Sequence, residues 1–179
     1  MLSRNIIIEA LKKLGNELEK RELKGEIILT GGASMCLVHS ARDMTKDVDA
    51  LYEPKTIINE ISERIAKKND LPLDWLNDGV KGFVNEKIET AEFAQFGALK
   101  VTTVTAEYLL AMKLMSARVT GQDYSDIKYL LNKLDIQTVL EAQNIVEKFY
   151  PIRLILPKTM YVIKQSLEEI QKERNKRYL

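Results

Sequence analysis

The sequence predicts an α+β fold: a mixed β-sheet formed early in the chain and flanked by helices, followed by a helical C-terminal extension. Three observations carry this. Short β-branched runs alternate with amphipathic stretches up to about residue 104, the remainder has helical periodicity broken only by prolines, and no internal repeat or low-complexity tract interrupts the pattern. At 179 residues, with 45% hydrophobic and 30% charged content, the chain is long enough for one domain with a substantial core and too short for two full ones. The expected organisation is a core over residues 1–131, including an N-terminal helix, with residues 132–179 as the extension, in one compact unit.

Residues 4–22 place Ile7, Ile8, Leu11, Leu14 and Leu18 at helical spacing among Lys and Glu, with Gly25 as the expected stop. EIILT (26–30) is a strand. Gly31-Gly32 then breaks the chain before ASMCLVHSA, expected to be a buried helix to about residue 41. KDVDALYE (46–53) alternates, with Val48, Ala50 and Tyr52 on one face and Asp47, Asp49 and Leu51 on the other. Pro54 closes that strand. Ile57, Ile58, Ile61 and Ile65 then recur at helical spacing over 55–69. Residues 70–97 have no clean period and read as a turn or short helix around Trp75 followed by strand fragments. ALKVTTV (98–104) is a strand, and Thr105 is a suitable N-cap for a helix over 106–118. Further helices are expected at about 122–133, 136–149 and 158–176, with Pro151 and Pro157 at the last joint.

Charge and composition exclude several classes. Lys and Arg total 27 against 26 acidic residues, so a net charge of +1 provides no general attraction to polyanions, and a nucleic-acid partner must be met by a local patch. A single cysteine, Cys36, allows no internal disulfide. The first residues contain an apolar run of only three, and no run approaches the roughly 20 needed to span a bilayer. The expectation is a cytoplasmic protein with no membrane partner.

The chemistry concentrates in residues 31–49. A glycine pair between a strand and a helix lets the backbone approach a bulky ligand, and the N–H groups that open the helix favour phosphate. Two carboxylates at i and i+2 on a strand project from one face, an arrangement suited to hard, oxygen-seeking Mg²⁺ that bridges phosphate oxygens. Each half alone is ordinary, since Gly-Gly is a common turn and Asp-x-Asp a common solvated pair. Their succession as strand, Gly-Gly, helix, strand, Asp-x-Asp sets both at one end of adjacent strands. An EF-hand is excluded because its glycine and terminal glutamate do not follow Asp47-Val48-Asp49. An aspartyl phosphatase would have its Asp-x-Asp directly after the first core strand. The GxGxxG and GxxxxGK[ST] fingerprints are absent.

The run Gly31-Gly32-Ala33-Ser34, then Arg42, Thr45 and Asp47-Val48-Asp49, resembles the first motif of the nucleotidyltransferase superfamily, the polymerase-β-like fold. YLLAMKLMSARVTGQDYSDIKYLL (108–131) is similar to the segment of AbiEii-like toxin nucleotidyltransferases in which a helical lysine precedes an Asp-x-x-Asp signature, here Lys113, Asp123, Asp126 and Ile127. The resemblance covers about residues 26–131. It implies a nucleotidyltransferase-like sheet, an NTP substrate with Mg²⁺ held by Asp47 and Asp49, and transfer of a nucleoside monophosphate to an acceptor hydroxyl, an EC 2.7.7-type reaction. The backbone at Gly31, Gly32 and Ala33, with Ser34, would cradle the phosphates. Arg42 and Thr45 would touch phosphate or fix the loop, and Lys113 and Asp126 would join the catalytic set. The toxin branch implies an RNA acceptor, such as a tRNA end, and a cognate antitoxin protein.

Alternatives stand beside several of these residues. Lys113 interrupts an apolar helix, where its head either reaches phosphate or snorkels to water. Asp123 and Asp126 can share a helix face, and Asp123 near a helix start also serves as a dipole partner. Many superfamily members carry a third carboxylate on a later strand, yet residues 98–105 contain no acid, leaving Asp126, Glu86, Glu89, Glu92 or no dedicated base. His39, Cys36 and Trp75 read as core, and KERNKR (172–177) as a solvated helix end. Two other functions fit the same residues: a nucleotide-binding regulatory protein without turnover, and a structural interaction module.

Overall fold

The computed structural model describes residues 1–116 and 121–176. It is α+β, and contacts within the chain gather into two compact units: Met1–Gly82 with Thr90–Val104, and Phe83–Glu89 with residues 105 onward.

In the first unit, β1 (Leu2–Ser3) leads into α1 (Arg4–Lys20), followed by β2 (Gly25–Leu29), α2 (Gly31–Leu37), β3 (Met44–Thr45), β4 (Val48–Glu53), α3 (Lys55–Asn69), β5 (Leu76–Asn77), β6 (Thr90–Phe96) and β7 (Leu99–Val104). The five-stranded sheet has the order β5-β4-β2-β7-β6. β2 runs antiparallel to β4 and parallel to β7, β4 is parallel to β5, and β6 is antiparallel to β7 with a register shift between Glu92 and Ala94. β1 and β3 form a separate two-stranded ladder.

The expected alternation of β4 holds. Val48, Ala50 and Tyr52 are buried and join Ile27, Leu29, Leu99 and Val101 in one core. Ile7, Leu11, Leu14 and Leu18 of α1, with Ile58, Ile61 and Ile65 of α3, enter the same core, so both helices cover that face of the sheet. Asp49 and Leu51, both half-buried, take the other face, and Asp47, also half-buried, lies in a bend just before the strand.

Several boundaries differ from the expected ones. Gly25 does not stop α1 but starts β2, because the helix already ends at Arg21 and Glu22 turns with φ 56°. α2 begins on the glycines themselves and ends at Leu37 rather than near residue 41. The stretch 70–97 resolves into β5, a 3-10 turn at Gly79–Gly82 and the full strand β6. Trp75 lies in the core, its indole N–H donating to the Ser62 carbonyl at 3.1 Å.

The second unit is helical: α4 (Ala106–Ser116), α5 (Gln122–Lys133), α6 (Val139–Phe149) and α7 (Pro157–Lys176). Thr105 caps α4 as expected, accepting from the Tyr108 N–H at 3.3 Å. Residues 117 and 118, the expected end of α4, fall outside the described residues. Thr138 and Glu141 form a capping box at the start of α6. Tyr108, Phe149 and Tyr150 make an aromatic cluster, with the Tyr108 and Phe149 rings edge to face at 4.9 Å. Lys176 closes an exposed, charged end of α7, where Glu173 binds Lys128 and Arg174 binds Asn132; Arg177 lies outside the described residues. Among the described residues no helix is long and apolar enough to cross a membrane.

Candidate functional site

The connection between the antiparallel neighbours β2 and β4 carries most of the residues singled out in the sequence, and the structure folds it back on itself. Gly31 has φ 50°, a left-handed conformation that a side chain disfavours, and a Cβ there would stand 2.9 Å from Asp49 Oδ2. The Asp49 carboxylate thus occupies the space a side chain at Gly31 would fill. A Cβ on Gly32 would collide with Thr45 Oγ1 and come within 3.3 Å of Arg42 Nη1. Glycine is required at both positions by close approach, and three polar residues, Asp49, Thr45 and Arg42, converge on the pair.

Strand pairing fixes this meeting. Leu29 lies opposite Ala50, and the next residue, Thr30, sends both its backbone N–H and its hydroxyl to the Asp49 carbonyl at 3.0 Å. Because Thr30 is the N-cap of α2 and its hydroxyl is engaged there, its side chain caps none of the N–H groups that open the helix. Helical geometry leaves the amides of Gly31, Gly32 and Ala33 without intrahelical acceptors, whereas the Ser34 amide bonds the Thr30 carbonyl at 3.0 Å. The Ser34 side chain is fully buried, with its hydroxyl 2.8 Å from that of Thr103 on β7. Only the backbone of Gly31–Ala33 is left to face an anion.

Asp47 lies in a bend one residue before β4 and is half-buried. On the adjacent parallel strand Asn77 stands beside Asp49, its carboxamide oxygen accepting from the Gly79 N–H at 3.0 Å. Sequence reasoning missed Asn77, since β5 has two residues and no period to reveal it. His39 and Cys36 are buried, as expected. The Cys36 Sγ–H points to the Asp43 carbonyl at 3.6 Å, and burial pushes the thiol's pKa up.

The remaining candidates belong to the second unit, where they bind one another. Lys113, 5% exposed, extends from α4 between Asp126 Oδ2 at 2.7 Å and Asp123 Oδ1 at 2.9 Å, both on α5. Asp126 is 1% exposed, while the Asp123 side chain keeps 48% of its surface, so this is a buried ion pair with a solvent-touching third member. Neither sequence alternative for Lys113 anticipated a pair of aspartates as its partners. Glu89 is held by Lys148 at 3.0 Å, and Glu86 is exposed. Glu92 on β6 pairs with Thr102 and shares the face of Asp49, but three strand spacings, roughly 14 Å, separate β6 from β4, too far for one phosphate to touch both carboxylates.

The donor set fits Mg²⁺. Asp47 and Asp49 offer hard carboxylate oxygens, and among the described residues no group of three or more His, Cys, Asp or Glu could hold a metal by itself. Mg²⁺ characteristically binds through one or two carboxylates and completes its shell with phosphate oxygens and water. A triphosphate along Gly31–Ala33 would supply such oxygens.

The sequence model of a family described as a nucleotidyltransferase of unknown function (DUF6036) matches residues 7–153. No curated protein and no solved structure matches the chain.

Proposed function

The chain belongs to this family of nucleotidyltransferases, DUF6036, and from that premise we propose that it transfers a nucleoside monophosphate from an NTP to an acceptor hydroxyl, releasing pyrophosphate. The observation that carries the proposal is the Asp49 carboxylate seated against Gly31, two residues after Asp47 in the chain. A carboxylate against a bare backbone turn, with a second one two residues before it, supports a site for a triphosphate with its cation.

In this reading Asp47 and Asp49 hold Mg²⁺, which when bound neutralises phosphate charge and favours attack at the α-phosphorus. The amides of Gly31, Gly32 and Ala33 receive phosphate oxygens, and Arg42 and Thr45, flanking Gly32, orient the chain of phosphates. The acceptor oxygen forms a bond to the α-phosphorus as the bond to the β-phosphate oxygen breaks, and the hydroxyl proton leaves to solvent or a base. Lys113 and Asp126 join as a charged pair that ties α4 to α5. The acceptor class rests on the resemblance of residues 108–131 to AbiEii-like toxins: an RNA hydroxyl such as a tRNA end, with a cognate antitoxin as the protein partner.

A second reading, nucleotide binding without transfer, is favoured by one observation. The face that β7 shares with Asp49 carries Lys100 and Thr102 and no acid to act as base. The two readings separate by incubating the protein with each α-labelled NTP, Mg²⁺ and total RNA or soluble protein. Transfer that falls by roughly 10²-fold or more in Asp47→Ala and in Asp49→Ala, the scale of losing one transition-state stabiliser, with circular dichroism unchanged, supports the enzyme. Full activity in both variants overturns the metal assignment, and NTP binding without label in any acceptor selects the second reading.

A further inference from the structure

Arg4 occupies the first turn of α1, where the helix dipole favours an acid and works against a cation, and that turn contains no acid. The guanidinium serves a different helix. Its Nη1 donates to the carbonyl of Cys36 at 3.3 Å and to that of Leu37, the last two residues of α2. At that end a cation complements the dipole and meets carbonyls that have no intrahelical partner. Directly before Arg4, β1 pairs with β3 so that Leu2 stands opposite Thr45, and Thr45 is the residue whose Oγ1 closes over Gly32. Three consecutive residues therefore grip both sides of the glycine turn, the helix that begins with it and the strand that covers it.

We infer that Leu2–Arg4 is a positioning element of the nucleotide site, with Arg4 as the positioning residue that holds α2, and with it Gly31 and Gly32, in register with Asp49 and Thr45. These residues precede the family's matched span, which begins at residue 7. The inference rests on the nucleotide reading above for its functional consequence, but its mechanical part does not. α2 is a two-turn helix that depends on tertiary contacts for its place, since helices this short are marginal alone. Leu2 is buried in the core, whereas Arg4 is exposed apart from its bonds to α2, so Arg4 can be changed without opening the core.

Cys36, the sole cysteine, reports on α2 from within. It is 1% exposed, and its alkylation requires α2 to open. Burial raises the thiol's pKa, while Arg4 and Arg42 lower it. Removing Arg4 therefore slows alkylation through charge and speeds it through opening, so a faster rate reports opening alone.

The experiment measures iodoacetamide modification of Cys36 in the native wild type, Arg4→Met and Arg4→Lys, together with melting temperature and titration of each NTP with Mg²⁺. Arg4→Met should speed modification roughly tenfold at nearly unchanged melting temperature, as expected for loss of a cation at a helix C-terminus, and should weaken NTP binding by a similar factor. Arg4→Lys, which keeps the charge without the guanidinium fork, should recover part of both. An unchanged rate in Arg4→Met overturns the proposal, as does a faster rate with unchanged NTP affinity. If the wild type binds none of the four NTPs, the nucleotide reading falls, and the Cys36 rate still decides whether Arg4 holds α2.

Discussion

The Asp49 carboxylate fills the space beside the Gly31 α-carbon, where a Cβ would come within 2.9 Å of Oδ2. Gly31→Ala should therefore act twice. Its φ of 50° imposes about 1–2 kcal/mol of strain on a residue with a side chain, and the methyl displaces the carboxylate. Titration with NTP and Mg²⁺ should show weaker binding than the stability loss alone explains. Binding equal to wild type would mean that Asp49 is not held by this contact.

The Ser34 hydroxyl is buried against Thr103, which points to a structural role in place of the expected phosphate contact. Ser34→Ala should lower stability by about 1 kcal/mol, measured by denaturant unfolding, with NTP affinity within about twofold of wild type. A tenfold loss of affinity would return the hydroxyl to the site.

Lys113 and Asp126 are both buried, and breaking such a pair leaves an uncompensated charge. Asp126→Asn should destabilise by about 3 kcal/mol, near the low end for buried pairs because Asp123 remains beside the lysine. Replacing both together, Lys113→Met with Asp126→Leu, should cost less than the single change. A double variant no more stable than the single one would show that the pair is not principally electrostatic.

Burial, then the neighbouring Tyr108, pushes the Tyr150 phenol above its ordinary value of 10.0, and its O–H donates to the Phe83 carbonyl at 2.7 Å. The folded state thus keeps a proton that the unfolded chain releases near pH 10. The associated stability is complete below that pH and is lost progressively above it, as pH rises toward the higher value of the folded state. Tyr150→Phe should flatten the alkaline limb of a melting-temperature profile while costing about 1 kcal/mol at neutral pH for the missing hydrogen bond. An unaltered alkaline limb would remove Tyr150 as its cause.

What the sequence made legible was whatever repeats with a period or turns on a single residue type. Ile58, Ile61 and Ile65 announced α3 to the residue, and Val48, Ala50 and Tyr52 announced which face of β4 meets the core. Gly31-Gly32 and Asp47-x-Asp49 marked a candidate site because few other residues combine a bare turn with close carboxylates. The partners were not legible. Arg4 reads as a surface residue until α2 is placed against it, and the pairing of Leu2 with Thr45 leaves no trace in two-residue strands. Lys113 was seen as an anomaly in an apolar helix, but that α5 would answer it with two carboxylates depends on how a helical hairpin closes. β6 stayed hidden because its burial is irregular and a bulge near Phe93 disrupts the period of two.

From Thr30 to Asp49 the glycine turn, its flanking arginine and threonine and both carboxylates are delivered by one uninterrupted stretch of chain, anchored at each end by neighbouring strands of the sheet. Such a stretch is nearly self-contained, but not wholly so. Beyond its two antiparallel strands it leans on Leu2–Arg4 at the far end of α2 and on Thr103 beneath Ser34, so a segment moved into another sheet would have to take those contacts with it.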